Sequence, residues 1–111
     1  MNLDAIFKAY DIRGVYPTQL NEELVENIGK AFAQFVQADT IIIGHDMRLS
    51  SPALVDACIK GITSIGKHVR LAGLIPTDAS YYAAGKYNLP TLMFTASHNP
   101  PEYNGMKFTN A

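Results

Sequence analysis

Residues 95–108 gather more reactive side chains than any other stretch of this chain. Ser97, His98, Asn99, Asn104 and Lys107 stand around Pro100, Pro101 and Gly105, directly after the apolar run from Thr91 to Phe94. A serine hydroxyl is a weak nucleophile until a base takes its proton. His98 is the nearest base, but it is the next residue, and neighbouring side chains on extended backbone point to opposite sides. The two pair only if the loop bends between them. Ser97 also lacks the Gly-x-Ser-x-Gly elbow of serine hydrolases, so hydrolase chemistry is disfavoured.

A different chemistry suits the stiffness of the loop. Pro100 restricts Asn99 to extended backbone, Pro101 fixes its own φ, and Asn104-Gly105 is a turn signal. Phosphoryl transfer needs a phosphate held in line with an attacking hydroxyl and charge neutralised on its oxygens. Ser97 can carry the phosphoryl group. Arg13 and Lys107 can neutralise charge, and His98 can donate a hydrogen bond or move a proton. A rigid surface turn with incidental polar residues accounts for the same spacing. By itself Arg13 reads equally as a solvated charge.

The elements that must position these groups follow from apolar spacing. Residues 5–16 read as an extended segment turning near Arg13, where Gly14 permits a bend. Asn21 to Gln37 is predicted helical. Leu24, Val25, Ile28, Ala31, Phe32, Phe35 and Val36 form its core face, Asn21 caps it, and Glu22 and Glu23 suit its positive end. Thr40 to Gly44 is a β-branched run covered on both faces. His45 to Ser50 is the loop after it. Ser50 or Ser51 caps a second helix with Pro52 in its first turn, buried through Leu54, Val55, Cys58, Ile62 and Ile65 and stopped at Gly66. Gly61 to His68 nearly spells a P-loop. His68 replaces the required hydroxyl, however, and the segment leaves a helix for a strand. His68 to Leu74 is a third strand with His68 at its surface. A third helix runs from Pro76-Thr77-Asp78 to Tyr87, capped by Thr77 or Asp78, with Tyr81, Tyr82 and Tyr87 as packing residues. Thr91 to Thr95 and Met106 to Thr109 are the last strands.

This alternation predicts an α/β fold, a three-layer α/β/α unit with a mixed, mainly parallel sheet of about four strands. Ligands of such sheets bind beyond the carboxyl ends of the strands. That rule gathers Arg13, Asp46, Arg48, Ser97, His98 and Lys107 on one edge.

Composition narrows the alternatives. The 111 residues are 48% hydrophobic and 17% charged, enough for a core and unlike a disordered chain. A net charge of −1 gives no field for nucleic acid. Cys58 has no internal disulfide partner and falls at a core position. No apolar run reaches the ~18 residues of a membrane span. The first residues are too polar for a signal peptide, so a cytoplasmic location is expected.

Three motifs resemble those of the α-D-phosphohexomutases. Thr95-Ala96-Ser97-His98-Asn99-Pro100, continuing to Lys107, is similar to the family's phosphoserine loop. Phe7-Lys8-Ala9-Tyr10-Asp11-Ile12-Arg13-Gly14 resembles its N-terminal signature. Gly44-His45-Asp46-Met47-Arg48-Leu49-Ser50-Ser51 resembles its Gly-Arg-Asp-x-Arg-x-Ser loop. The wording looks like the bacterial phosphomannomutase/phosphoglucomutase branch. The resemblance implies that phosphorylated Ser97 donates to a hexose monophosphate and takes the other phosphate back from a bisphosphate intermediate. The 1- and 6-phosphates of mannose or glucose would thereby interconvert. It implies His98 and Lys107 in the active site, with Lys107 a candidate general acid or base, and Tyr10 and Arg13 near substrate and phosphoserine. It also implies magnesium bound partly through the phosphate on Ser97.

The sequence departs from the pattern at His45, where Arg is frequent, and at Pro76-Thr77-Asp78, where a second Pro is frequent. Family members have four domains, with an Asp-Gly-Asp-x-Asp-Arg metal loop, a sugar-reading loop and a distal phosphate clamp that have no counterpart here. Residues 1–111 are therefore expected to be a first domain cut short at its C-terminal end, without domains II–IV. Alone it is expected to be inactive, to bind magnesium poorly and to self-associate through an open sheet edge. A stand-alone sugar-phosphate-binding module is the alternative.

Overall fold

The computed structural model describes residues 11–96 and 99–109. Its elements are β1 (Asp11–Val15), α1 (Glu22–Phe35), β2 (Thr40–His45), α2 (Ser51–Thr63), β3 (His68–Leu74), α3 (Thr77–Tyr87), β4 (Thr91–Phe94) and β5 (Tyr103–Thr109). The strands form one mixed sheet in the order β1-β5-β4-β2-β3. The α/β/α class holds, with five strands in place of about four. β2 pairs in parallel with β3 and β4, whereas β5 is antiparallel to both β4 and β1. Parallel character is thus confined to the β3-β2-β4 half.

The extra strand comes from the segment expected to turn near Arg13. Arg13 lies inside β1, opposite Gly105, and the chain turns only after Val15. A second turn signal also fails. Asn104-Gly105 lies within β5, which starts at Tyr103. Gly105 serves close approach there. A Cβ would collide with the Ile12 carbonyl, lie 2.8 Å from the Thr95 carbonyl and meet Arg13 Cγ at 3.0 Å.

α1 begins as its sequence predicts, with the Asn21 side chain accepting from Leu24 N–H at 2.9 Å. Val25, Ile28, Phe32, Ala33 and Val36 are buried, but Phe35 is 48% exposed. At 100° per residue the buried arc centres on positions 25, 29, 32 and 36. Phe35 falls at its margin, and the chain leaves the helix at Val36. α1 and α2 cover one face of the sheet, where Phe32 packs on Phe108 with ring centroids 5.0 Å apart.

α3 covers the other face over β4 and β2. Its N-cap is Pro76, with no side-chain capping bond, where Thr77 or Asp78 was expected. Tyr82 and Tyr87 do not pack as expected either, being 67% and 49% exposed. Lys86 lies over both rings, at 5.7 and 5.6 Å, and Arg70 lies over Tyr87 at 5.5 Å. Cations thus cover these rings in place of the core. Ser50 holds the N-cap position of α2, yet its side chain makes no capping bond there.

Cys58 is fully buried at the α1–α2 contact, and burial pushes its thiol pKa up. An unfolded thiol ionises near pH ~8.5 while the native one keeps its proton, so stability falls as pH rises past that point. Between pH ~8.5 and ~9.5 the chain should lose about 1 kcal/mol more stability than its Cys58→Ala variant in urea unfolding. Equal pH slopes for the two proteins would contradict the assignment.

Candidate active site

β1 and β4 both run antiparallel to β5, and β2 runs parallel to β4. The C-terminal ends of β1, β2 and β4 therefore meet the start of β5 at one edge. Backbone bonds stitch the connecting segments together there. Tyr16 N–H donates to the Glu102 carbonyl at 2.9 Å, Asp46 N–H to Phe94 at 3.0 Å, and Thr95 N–H to Gly105 at 3.0 Å. The strand-end rule thus brings the expected segments to one place.

At that edge the Arg48 guanidinium grips the loop leading into β5. Nη1 donates to the carbonyls of Pro100 at 2.7 Å and Tyr103 at 3.0 Å, and Nη2 donates to the carbonyl of Asn99 at 2.9 Å. Asp46 orients the arginine. Its Oδ2 accepts from Arg48 Nε at 3.2 Å, and its Oδ1 accepts from Arg48 N–H at 3.1 Å. The Arg48 side chain is only 11% exposed. A planar fork of donors holds several carbonyls in fixed directions, whereas an ammonium is a compact charge on a flexible stem. The strand-end rule placed Arg48 at this edge without a role, and its donors engage backbone. Arg48 is better described as a clamp.

Arg13 holds the same loop from the other side. Its Nη1 donates to Asn99 Oδ1 at 2.8 Å and to the Ala96 carbonyl at 3.4 Å. Asn99 N–H also donates to the Ala96 carbonyl at 3.0 Å. The residues on either side of Ser97-His98 are therefore bonded to each other and to β1. Ser97, His98 and Tyr10 themselves lie outside the described residues.

Lys107 is half-buried within β5, between Asp11 on β1 and Met93 on β4. Since Met106 and Phe108 join the core under α1 and α2, alternation puts Lys107 on the opposite face. Gly105 and its partner Arg13 share that face, two residues (about 7 Å) along the strand. Arg13 and Lys107 thus stand on one side of the sheet, with Lys107 set back from the edge. A groove of about 420 Å³ opens between the clamp and the loop, lined by Asp46, Met47, Arg48, Leu49, Asn99 and Pro101. Among the described residues no group of three or more His, Cys, Asp or Glu could hold a metal ion.

Sequence reasoning missed two partners. The carbonyls that Arg48 binds carry no residue-type signal, and the Asn99 side chain was read only through its proline neighbour. Two substitutions test this geometry. Arg48→Lys keeps the charge and loses the fork, and should lower stability by roughly 1–2 kcal/mol in urea unfolding. An unchanged midpoint would mean that the clamp is slack. Gly105→Ala should cost about 1–3 kcal/mol by overpacking, and a neutral outcome would refute the close approach at that position.

Similarity to known proteins agrees with this architecture. Residues 4–111 match the family model described as phosphoglucomutase/phosphomannomutase, alpha/beta/alpha domain I. A phosphomannomutase/phosphoglucomutase of Pseudomonas syringae pv. tomato is 46% identical over 112 residues, covering 97% of this chain and 24% of the relative. A protein named phosphohexose mutases from Xanthomonas campestris pv. campestris is 45% identical over 102 residues, covering 91% of this chain and 23% of the relative. A crystal structure of a phosphoglucomutase/phosphomannomutase family protein from Burkholderia thailandensis superposes with a TM-score of 0.82 at 36% identity. It matches 89% of this chain and 24% of that one. The chain spans about a quarter of the length of the relatives it matches. It belongs to the phosphoglucomutase/phosphomannomutase family, and matches that family's α/β/α domain I.

Proposed function

We propose that this chain supplies the phosphoserine loop of a phosphohexomutase that interconverts the 1- and 6-phosphates of mannose or glucose. The observation that carries this reading is the double anchoring of the loop. Arg48 holds the carbonyls of Asn99, Pro100 and Tyr103, and Arg13 holds Ala96 and Asn99. Ser97 lies between these anchors in sequence. A loop fixed on both flanks keeps a phosphorus atom in line with an incoming sugar hydroxyl, which is the main contribution a protein makes to this transfer.

In the proposed cycle a sugar oxygen attacks the phosphorus of phosphorylated Ser97. The bond from phosphorus to Ser97 Oγ breaks as Oγ takes up a proton, and a base takes the proton of the sugar hydroxyl. Lys107 and His98 are the candidates for moving that proton, and Tyr10 for contacting substrate. Arg13 offsets phosphate charge. The reverse step, on the other phosphate of the reoriented bisphosphate, restores phosphorylated Ser97.

Magnesium fits the described residues poorly by themselves. It prefers six oxygen ligands, and both oxygens of Asp46 are already engaged by Arg48. The chain would offer an oxygen of the Ser97 phosphate. The remaining ligands, the sugar-reading loop and the distal phosphate clamp would come from other parts of the enzyme.

The test has two arms. The purified 111-residue chain should turn over no hexose phosphate. A chimera in which it replaces the matching segment of the Pseudomonas syringae relative should interconvert glucose 1- and 6-phosphate, acquire one phosphoryl group on Ser97 by intact mass, and lose both properties in Ser97→Ala. A folded chimera that binds hexose phosphate without turnover would favour a binding module instead.

A further inference from the structure

Behind the clamp lies a second set of polar groups with no access to water. Asn104 and Ser51 are both fully buried. Asn104 lies on β5 and Ser51 opens α2, far apart in sequence. The Asn104 carboxamide oxygen accepts from Gly105 N–H at 2.8 Å, which fixes the other end of the amide as the donor. Its Nδ2 donates to Ser50 Oγ at 2.8 Å and Ser51 Oγ at 3.1 Å. Ser51 accepts that bond, so its one proton goes to Asp46 Oδ1, at 3.1 Å. Asp46 in turn holds Arg48, and Arg48 holds the loop.

We infer that Asn104 is a positioning residue, acting through Ser51 and Asp46 to set the aim of the Arg48 guanidinium and hence the loop that carries Ser97. The bonds run in one direction, from Asn104 to Ser51 to Asp46, and Arg48 donates into the same carboxylate. Nothing in the chain can reverse without leaving a buried donor unpaired, and water cannot stand in at Asn104 or Ser51. Ser50 differs. It takes the other Asn104 proton but passes nothing on to Asp46 in this chain of bonds, and its site is only partly buried. The family motif after β2 thereby gains a physical division of labour. Asp46 and Arg48 grip, Ser51 relays, and the carboxamide that aims them comes from the strand just beyond the loop they grip.

That this loop does chemistry rests on the proposed mutase reading, but the relay can be measured without substrate. Amide hydrogen exchange should be followed by NMR in the 111-residue chain, in Ser51→Ala, in Ser50→Ala and in Asn104→Asp. Asn99 and Tyr103 N–H report on the loop, and Ile42 N–H, bonded to Pro90, reports on the core. Ser51→Ala and Asn104→Asp should each speed exchange at Asn99 and Tyr103 about tenfold or more while Ile42 stays within about twofold of the parent. The Arg48 Nε–H resonance should shift in the same two variants, and Ser50→Ala, which costs Asn104 one acceptor but leaves the bonds from Ser51 to Asp46 intact, should raise loop exchange by less than Ser51→Ala and leave the Arg48 Nε–H resonance in place. Loop exchange unchanged in Ser51→Ala, an equal rise in Ser50→Ala, or a uniform rise that includes Ile42 would overturn the relay. Asn104→Asp keeps side-chain volume and decides the question if Ser51→Ala fails to fold. A failure of the mutase reading would appear separately, in the phosphorylation of Ser97.

Discussion

One guanidinium ties the halves of this fold together at the site. Arg48 sits on the loop between β2 and α2, in the parallel part of the sheet. The carbonyls it binds belong to the segment that turns the chain from β4 into the antiparallel β5. Without that bridge, residues 99–103 would have fewer ties to the β2–α2 side. Loop carbonyls at a sheet edge are ordinarily left to water. Here a charged, largely buried donor takes three of them, and a carboxylate two residues earlier holds the donor in plane.

The same arrangement explains why the loop can be stiff without being regular. Two prolines restrict its backbone from within, while Arg48 and Arg13 hold it from outside, both reaching Asn99. Gly105 is the complement of Arg13. Its missing side chain lets β1 and β5 close up, and leaves room for the arginine to run past toward Asn99. The β1–β5 ribbon therefore works as the mount for Arg13 and Lys107 more than as extra sheet.

Much of this was legible in the sequence. The 3.6-residue spacing and the Asn21 cap gave α1 nearly to its ends, and the β-branched run gave β2 with both faces covered. The strand-end rule brings Arg13, Asp46 and Arg48 together from sequence alone. What failed did so for identifiable reasons. Asn104-Gly105 has the composition of a turn, but its carboxamide is needed by Ser50 and Ser51, and its glycine by Ile12 and Thr95. Tertiary contacts override local turn preference there. Phe35 was assigned to the core because periodicity does not say where a buried arc stops. Tyr82 and Tyr87 pair with cations that lie close in sequence or on the neighbouring strand, a contact that periodicity cannot reveal. The role of Arg48 was hidden because its partners are backbone atoms more than fifty positions away.

Held by Arg13 and Arg48, Asn99 and the residues up to Tyr103 should be as rigid as the strands beside them. Backbone order parameters from nitrogen-15 relaxation measure this directly. Values near ~0.85 are expected for Asn99 and Tyr103, matching Leu92 and Met93 on β4. Values below ~0.6 at Asn99 and Tyr103, with β4 still ordered, would contradict it.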